Sequence, residues 1–295
     1  MQHTIGNTFL NAKISTHGAE IQSLFSVTED VELLWQADEK YWPRHAPILF
    51  PIVGRLNSDN YVHEGTTYPL TQHGFARDSD FQIVFQNDQV ITLQLASNTQ
   101  TLAIYPFNFL LEVSYQITDH TLSTTFSVTN TDDKPMPFSI GGHPAFNWPL
   151  FKHIEKKAHR IRFEKEEGPT ISLLENGLIK TDDRPSPVVN RCLDIEEDIF
   201  SKDALIFKHS KSKRIYYEAF QNNKLHSCIE LEFKDFNDLG IWKKPNADFI
   251  CLEPWNGYSD GVFDSKDLNQ KPGIMTLSPN QRKEMTFNLG FYRHQ

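Results

Sequence analysis

Leu122-Ser123-Thr124-Thr125-Phe126-Ser127-Val128 decides the fold class: Leu122, Thr124, Phe126 and Val128 fall on one side of a period-two pattern, with small hydroxyl residues on the other. A strand turns successive side chains to opposite faces, so this pattern describes a strand with one face in a core and one toward water. Working outward, residues 111–117 and 90–95 alternate or nearly so. Downstream, Ile229, Leu231 and Phe233 alternate with Glu230 and Glu232, and Met285, Phe287, Leu289 and Phe291 alternate around Thr286 and Asn288. Residues 8–14 and 21–26 read as a hairpin around Ser15-Thr16-His17-Gly18, Leu33-Leu34-Trp35 begins a further strand, and a short strand starts at Tyr61. Pro43, Pro47 and Pro51 exclude helix from residues 42–53. The best helical stretch is a turn around residues 172–176. Asp182-Asp183-Arg184-Pro185-Ser186-Pro187 reads as a surface loop, not a domain boundary. The expected class is all-β: a single large antiparallel β-sandwich spanning residues 1–295.

Composition narrows the function. The formal charge is -9 and no long Lys/Arg run occurs, which disfavours nucleic acid and anionic membrane as partners. The N-terminal Met1-Gln2-His3-Thr4-Ile5-Gly6 has neither the basic nor the apolar region of a signal peptide, and no apolar run reaches membrane-spanning length. A soluble, cytoplasmic protein is expected. Cys192, Cys228 and Cys251 are an odd, well-separated set, read as reduced thiols rather than a disulfide framework or zinc knuckle. Neither phosphate-cradling glycine motif occurs, so no nucleotide cofactor is indicated.

Two proline-marked segments carry the polar chemistry. In Gly141-Gly142-His143-Pro144-Ala145-Phe146-Asn147-Trp148-Pro149, two glycines permit unusual dihedrals or close approach, and Pro144 biases His143 toward an extended conformation. In Cys251-Leu252-Glu253-Pro254-Trp255 a carboxylate precedes a proline and a ring follows. The two segments are either proline-marked strand ends or the halves of an acid/base pair beside an aromatic platform. His73, in His73-Gly74-Phe75-Ala76-Arg77-Asp78, sits on a loop. A His-His-Glu zinc site from His73, His143 and Glu253 is the metal alternative, although no His-Glu-x-x-His spacing supports it. Aromatic faces beside hydrogen-bonding side chains suit a pyranose, with its apolar C–H face and rim of hydroxyls. His and Glu are matched proton donor and acceptor near neutral pH.

Taken in order, Ile48-Leu49-Phe50-Pro51-Ile52-Val53-Gly54-Arg55, the His73 segment, Gly142-His143-Pro144-Ala145-Phe146, Asp203-Ala204-Leu205-Ile206-Phe207 and Cys251-Leu252-Glu253-Pro254-Trp255 resemble the aldose 1-epimerase (galactose mutarotase-like) family, most closely its LacX-like branch. The resemblance covers essentially the whole chain. It implies a β-supersandwich with a sugar cleft and a cofactor-independent isomerase that interconverts α and β anomers of a hexose or hexose 6-phosphate. In that family pattern Glu253 is the general base, His143 the general acid, His73 a partner of the ring oxygen or a nearby hydroxyl, and Asp203 a holder of sugar hydroxyls. Trp255 is the expected platform. Arg55 takes the place of a substrate arginine, but Gly54-Arg55 runs into Leu56-Asn57-Ser58-Asp59 where galactose mutarotases have a second Asn-Arg. Arg77 and Arg44 resemble arginines that face the phosphate in the hexose-6-phosphate branch, and bidentate Arg suits phosphate. The expected partner is a small sugar or sugar phosphate, and the expected state a monomer or homodimer with no metal. The rival from another class is a non-catalytic sugar-binding or sensing protein on the same scaffold; a metal-dependent hydrolase is the third reading.

Overall fold

The alternating segments become the long strands of one nine-stranded sheet. A computed structural model describes residues 1–294. In spatial order the sheet runs Cys192–Asp194, His159–Phe163, Arg214–Gln221, Lys224–Glu232, Arg282–Arg293, Thr121–Asn130, Phe109–Thr118, Val90–Ala96 and Gln82–Gln86. Thr121–Asn130 lies next to its middle strand, Arg282–Arg293, with Leu122 opposite Leu289 on that side and Ile117 on the other. Leu122, Thr124, Phe126 and Val128 are buried as the alternation requires, and on the opposite face Thr125 and Thr286 meet hydroxyl to hydroxyl at 2.8 Å.

A second, six-stranded sheet packs against the first. Its order is Leu205–Phe207, Asp238–Trp242, Phe249–Asn256, Ile140–Gly142 and Ile48–Leu49, with Ala145–Asn147 also pairing Phe249–Asn256. Every ladder among the described strands is antiparallel, so the sandwich expectation holds. Buried side chains from Ile5 to Phe291 form one continuous cluster between the layers. Fully burying one large apolar side chain contributes about 1.5–3 kcal/mol, so this layer dominates stability. No helix among the described residues is long and apolar enough to cross a membrane.

Several local expectations shift. The opening hairpin is Leu10–Ser15 with Ile21–Ser26, but it belongs to a four-stranded sheet begun by Gln2–Gly6 and closed by Val31–Glu32; Leu34 makes only an isolated bridge to Phe146. The expected helical turn at residues 172–176 is instead a hairpin, Leu174–Glu175 with Leu178–Ile179. Its turn residues Asn176 and Gly177 both have positive φ, 54° and 82°, as a two-residue Asn-Gly turn demands. Arg184–Pro185 pairs with Thr170–Ile171 within the expected loop. The one α-helix among the described residues, Thr99–Ile104, is short and held by a capping box between Asn98 and Thr101.

Candidate active site

The central strand Phe249–Asn256 is buried on both faces. Ile250 and Leu252 enter the core between the sheets, while Phe249, Cys251, Glu253 and Trp255 point the other way, beneath a cleft. Two short strands pair with its opposite edge: Gly141 faces Trp255, and Ala145 faces Cys251. Between them the chain leaves the ladder at Gly142-His143-Pro144, alongside Glu253. Leu252 donates its N–H to Pro144 O, so the neighbouring N position on that edge, two residues on, is Pro254, which has no hydrogen to offer. The proline thus sits inside the strand, not at its end, at the point where the ladder lacks a donor. The register runs unbroken across this gap, from Gly141 opposite Trp255 to Ala145 opposite Cys251, so His143 falls directly opposite Glu253.

The two glycines before His143 serve close approach, one to each layer. A Cβ on Gly141 would lie 2.6 Å from the Trp255 ring, and one on Gly142 would lie 2.9 Å from Phe287 of the other sheet. Gly240, opposite Glu253 on the next strand, would meet Trp255 at 2.4 Å. Trp255 therefore lies flat across two glycine-lined strands. Gly240→Val is expected to lower unfolding stability by about 1–3 kcal/mol through overpacking. The readout is the urea midpoint together with tryptophan fluorescence; an unchanged midpoint and spectrum would contradict this seating of the ring.

His143 Nε2 stands 3.1 Å from Glu253 Oε2. The approach is off-line for a hydrogen bond, and both Glu253 oxygens and His143 Nδ1 are buried without a hydrogen-bond partner. Such atoms cost stability and mark a functional site. Burial pushes the Glu253 carboxyl well above its ordinary value, with the nearby Asp203 charge adding to the rise. Burial likewise pushes the His143 imidazole down to about 3, with Arg77 and Arg44 contributing. Both shifts favour the uncharged forms, and a single proton transfer from Glu253 to His143 across the contact converts the neutral pair to carboxylate and imidazolium.

His73 is aimed by strained backbone: its φ is 67° and that of Gly74 is 69°, and a Cβ on Gly74 would strike Phe50 O at 2.3 Å. The Gly54 N–H donates to His73 Nδ1 at 3.1 Å. An amide N–H only donates, so Nδ1 accepts and the ring proton sits on Nε2. That nitrogen lies 3.2 Å from Gln72 Nε2, also a donor, so the Gln72 amide must turn its oxygen toward the ring for this contact to be a hydrogen bond. Burial, His143 and Arg77 hold the His73 pKa well below 6.5, which keeps the ring neutral and a donor through Nε2.

The cleft, about 310 Å³, is lined by Trp42, His73, Arg77, His143, Asp203, Trp242, Glu253 and Trp255, with Gln72, Leu174 and Ser259 at its walls. Its size sits at the small end of the roughly 300–1,000 Å³ range for small-molecule sites. Two larger surface grooves, about 750 and 810 Å³, lie elsewhere on the protein. Size does not select the site; the buried unpartnered acid/base groups do.

Of the residues singled out in the sequence, His73, His143, Glu253, Asp203, Arg77 and Trp255 converge on the cleft. Arg55 does not line it. Its guanidinium makes a bidentate pair with Asp59 at 2.8 and 2.6 Å and donates to Asn176 O, pinning the Leu174 hairpin that forms one wall. Asp203 turns an oxygen to its own neighbour's N–H at Ala204, 2.9 Å, and sits exposed at the rim. Arg77 donates to Gln72 O at 2.7 Å and shares Asp78 with Arg44, whose Nη2 is 2.8 Å from that carboxylate.

Trp42 and Trp242 were not identified as site residues from sequence. Trp42 lies 5.0 Å from the His143 ring at a tilt of 31°, and Trp242 meets His143 edge-on at 5.8 Å. The Trp35 indole N–H fixes Trp42 through its carbonyl, at 3.0 Å. Below the opposite wall, buried Lys271 and Asp260 pair at 3.0 Å and Asp260 accepts the Asn57 N–H, holding the turn that carries Ser259.

The aldose 1-epimerase profile matches residues 1–288. The chain belongs to the aldose 1-epimerase family. Protein LacX of Lactococcus lactis is 31% identical over 293 residues, covering 96% of this chain and 97% of LacX. A galactose mutarotase related enzyme from Lactobacillus acidophilus superposes with a TM-score of 0.92 at 33% identity, covering 99% and 97% of the two chains. A galactose 1-epimerase from Lactobacillus acidophilus shares the fold, with a TM-score of 0.69 at 13% identity and 100% and 95% coverage.

Proposed function

We propose that this family member is an aldose 1-epimerase that interconverts the α and β anomers of a hexose or hexose 6-phosphate. The observation that carries the reading is the buried contact between His143 and Glu253, 3.1 Å apart in a tryptophan-walled cleft. O1 and O5 of a pyranose are bonded to the same carbon, so groups serving them must be neighbours. Glu253 takes the proton from the O1 hydroxyl while His143 delivers one to O5 as the C1–O5 bond opens. Rotation about C1–C2 and closure on the other carbonyl face complete the cycle. These steps need only proton transfers, each worth about 10²- to 10⁴-fold when the group is positioned.

His73 donates through Nε2 to the ring oxygen or a neighbouring hydroxyl, Asp203 accepts from hydroxyls at the rim, and the ring faces of Trp42, Trp242 and Trp255 cover the apolar side. A 6-phosphate would compete with Asp78 for Arg77 and Arg44. Magnetisation-exchange NMR of anomeric protons on a panel of free aldoses and their 6-phosphates tests the reading. Accelerated exchange on at least one member is expected, and sugar binding without acceleration on any would overturn it in favour of a sugar sensor.

The pH dependence follows from these two shifts. Below its acid limb, pushed down toward about 3, His143 gains a second proton; above the alkaline limb Glu253 loses its own. Asp203 helps to raise that upper value, so Asp203→Asn is expected to move the alkaline limb of kcat/KM to lower pH. An upward or absent shift would contradict the assignment of that limb to Glu253.

A further inference from the structure

Cys251 takes no part in the proposed reaction, yet it lies on the same strand face as Glu253, two residues away. One donor atom each from His143, Cys251 and Glu253 lies within 4.8 Å of the others, and all three residues are buried. We propose that these three side chains form an inhibitory site for a thiophilic divalent cation, Zn²⁺ or Cd²⁺. The proposal deepens the acid/base reading, because the same lone pairs serve both.

The donor set matches the ion. Thiolate, imidazole and carboxylate are the ligands of borderline-soft cations at roughly 2.0–2.3 Å, whereas Mg²⁺ and Ca²⁺ favour all-oxygen shells. Bonds of that length around one ion need donor separations of about 3–4 Å. The His143–Glu253 contact at 3.1 Å already meets this, and the remaining donors need only a small contraction. The Glu253 oxygens have no competing hydrogen-bond partners to give up, and with Nε2 toward the ion the ring proton of His143 sits on Nδ1. Two anionic ligands neutralise a divalent charge, which offsets the nearby Arg77 and Arg44. The cleft leaves a fourth position open to water or a sugar hydroxyl. Coordination by thiolate and carboxylate displaces the Cys251 thiol proton together with any proton on Glu253, so binding tightens as pH rises. A bound ion removes the general base and the general acid together.

The test is a Cd²⁺ titration of the full chain, read by thiolate-to-cadmium charge-transfer absorbance, with anomer exchange followed in parallel. Wild type is expected to develop the band at one equivalent and to lose exchange as it saturates, while Mg²⁺ has no effect. Cys251→Ala, and Cys251→Ser as a second variant against a packing loss, are expected to lack the band, to keep metal-free exchange, and to need at least about tenfold more Cd²⁺ for half-inhibition. A band that persists in both Cys251 variants would place the thiolate at Cys192 or Cys228, and one that keeps its midpoint in Glu253→Gln would remove the carboxylate as a ligand; either overturns the proposal. The absorbance arm does not depend on epimerase activity, so an inactive protein that still forms the Cys251-dependent band would refute the proposed function and leave the metal site standing.

Discussion

Glu253→Gln is expected to slow anomer exchange by about 10²- to 10⁴-fold while leaving the protein at least as stable as wild type. The amide keeps the shape of the side chain and removes the proton acceptor. The stability half of the expectation follows from linkage. Burial raises the folded-state pKa of Glu253 above its ordinary 4.5. Above that ordinary value the unfolded chain releases the proton and the folded chain retains it, so wild-type stability falls as pH rises through the window up to the folded value. Glutamine has no such penalty. The variant's unfolding midpoint should therefore equal or exceed that of wild type, with the gap widening toward alkaline pH. Loss of exchange accompanied by a lower midpoint would mean that Glu253 supports the fold rather than the chemistry.

His143→Asn is expected to cost a similar 10²- to 10⁴-fold in exchange, because a neutral amide cannot protonate the ring oxygen. Here the linkage runs the other way. The folded imidazole is depressed from 6.5 to about 3, so below 6.5 the unfolded chain binds a proton that the fold refuses. Wild type loses stability as pH falls through that window, and His143→Asn should lose less. Comparing thermal midpoints at pH 7 and pH 5 reads this directly. An equal acid loss in both proteins would contradict a neutral buried His143.

The strands that decided the fold were legible because each has one wet face. Residues 122–128 and 285–291 advertise their alternation since Thr125 and Thr286 meet outside while Phe126 and Phe287 meet inside. The strand bearing Glu253 offers no such contrast, being buried on both faces; it was found through its carboxylate, its proline and the family resemblance. The Leu174 hairpin is the opposite case: residues 172–176 read as a helical turn, yet Asn176-Gly177 is a strong turn signal and the structure has a hairpin there. Trp42 and Trp242 cannot be placed on the site from sequence, because strand register alone brings Trp242 opposite Cys251, and an irregular loop folded over the sheet carries Trp42 to His143. Arg55 shows the converse limit: a motif position told nothing of Asp59, four residues on, which claims its guanidinium.

The central claim is that Glu253 and His143 act as one proton-transfer unit. The most direct measurement is a double-mutant cycle of anomer-exchange rates, by magnetisation-exchange NMR, on wild type, Glu253→Gln, His143→Asn and the double variant with the best aldose of the panel. Groups that act as a unit are strongly non-additive, so the double variant should lose little more than either single one. Losses that multiply across the two sites, or a wild type no faster than buffer, would contradict the claim.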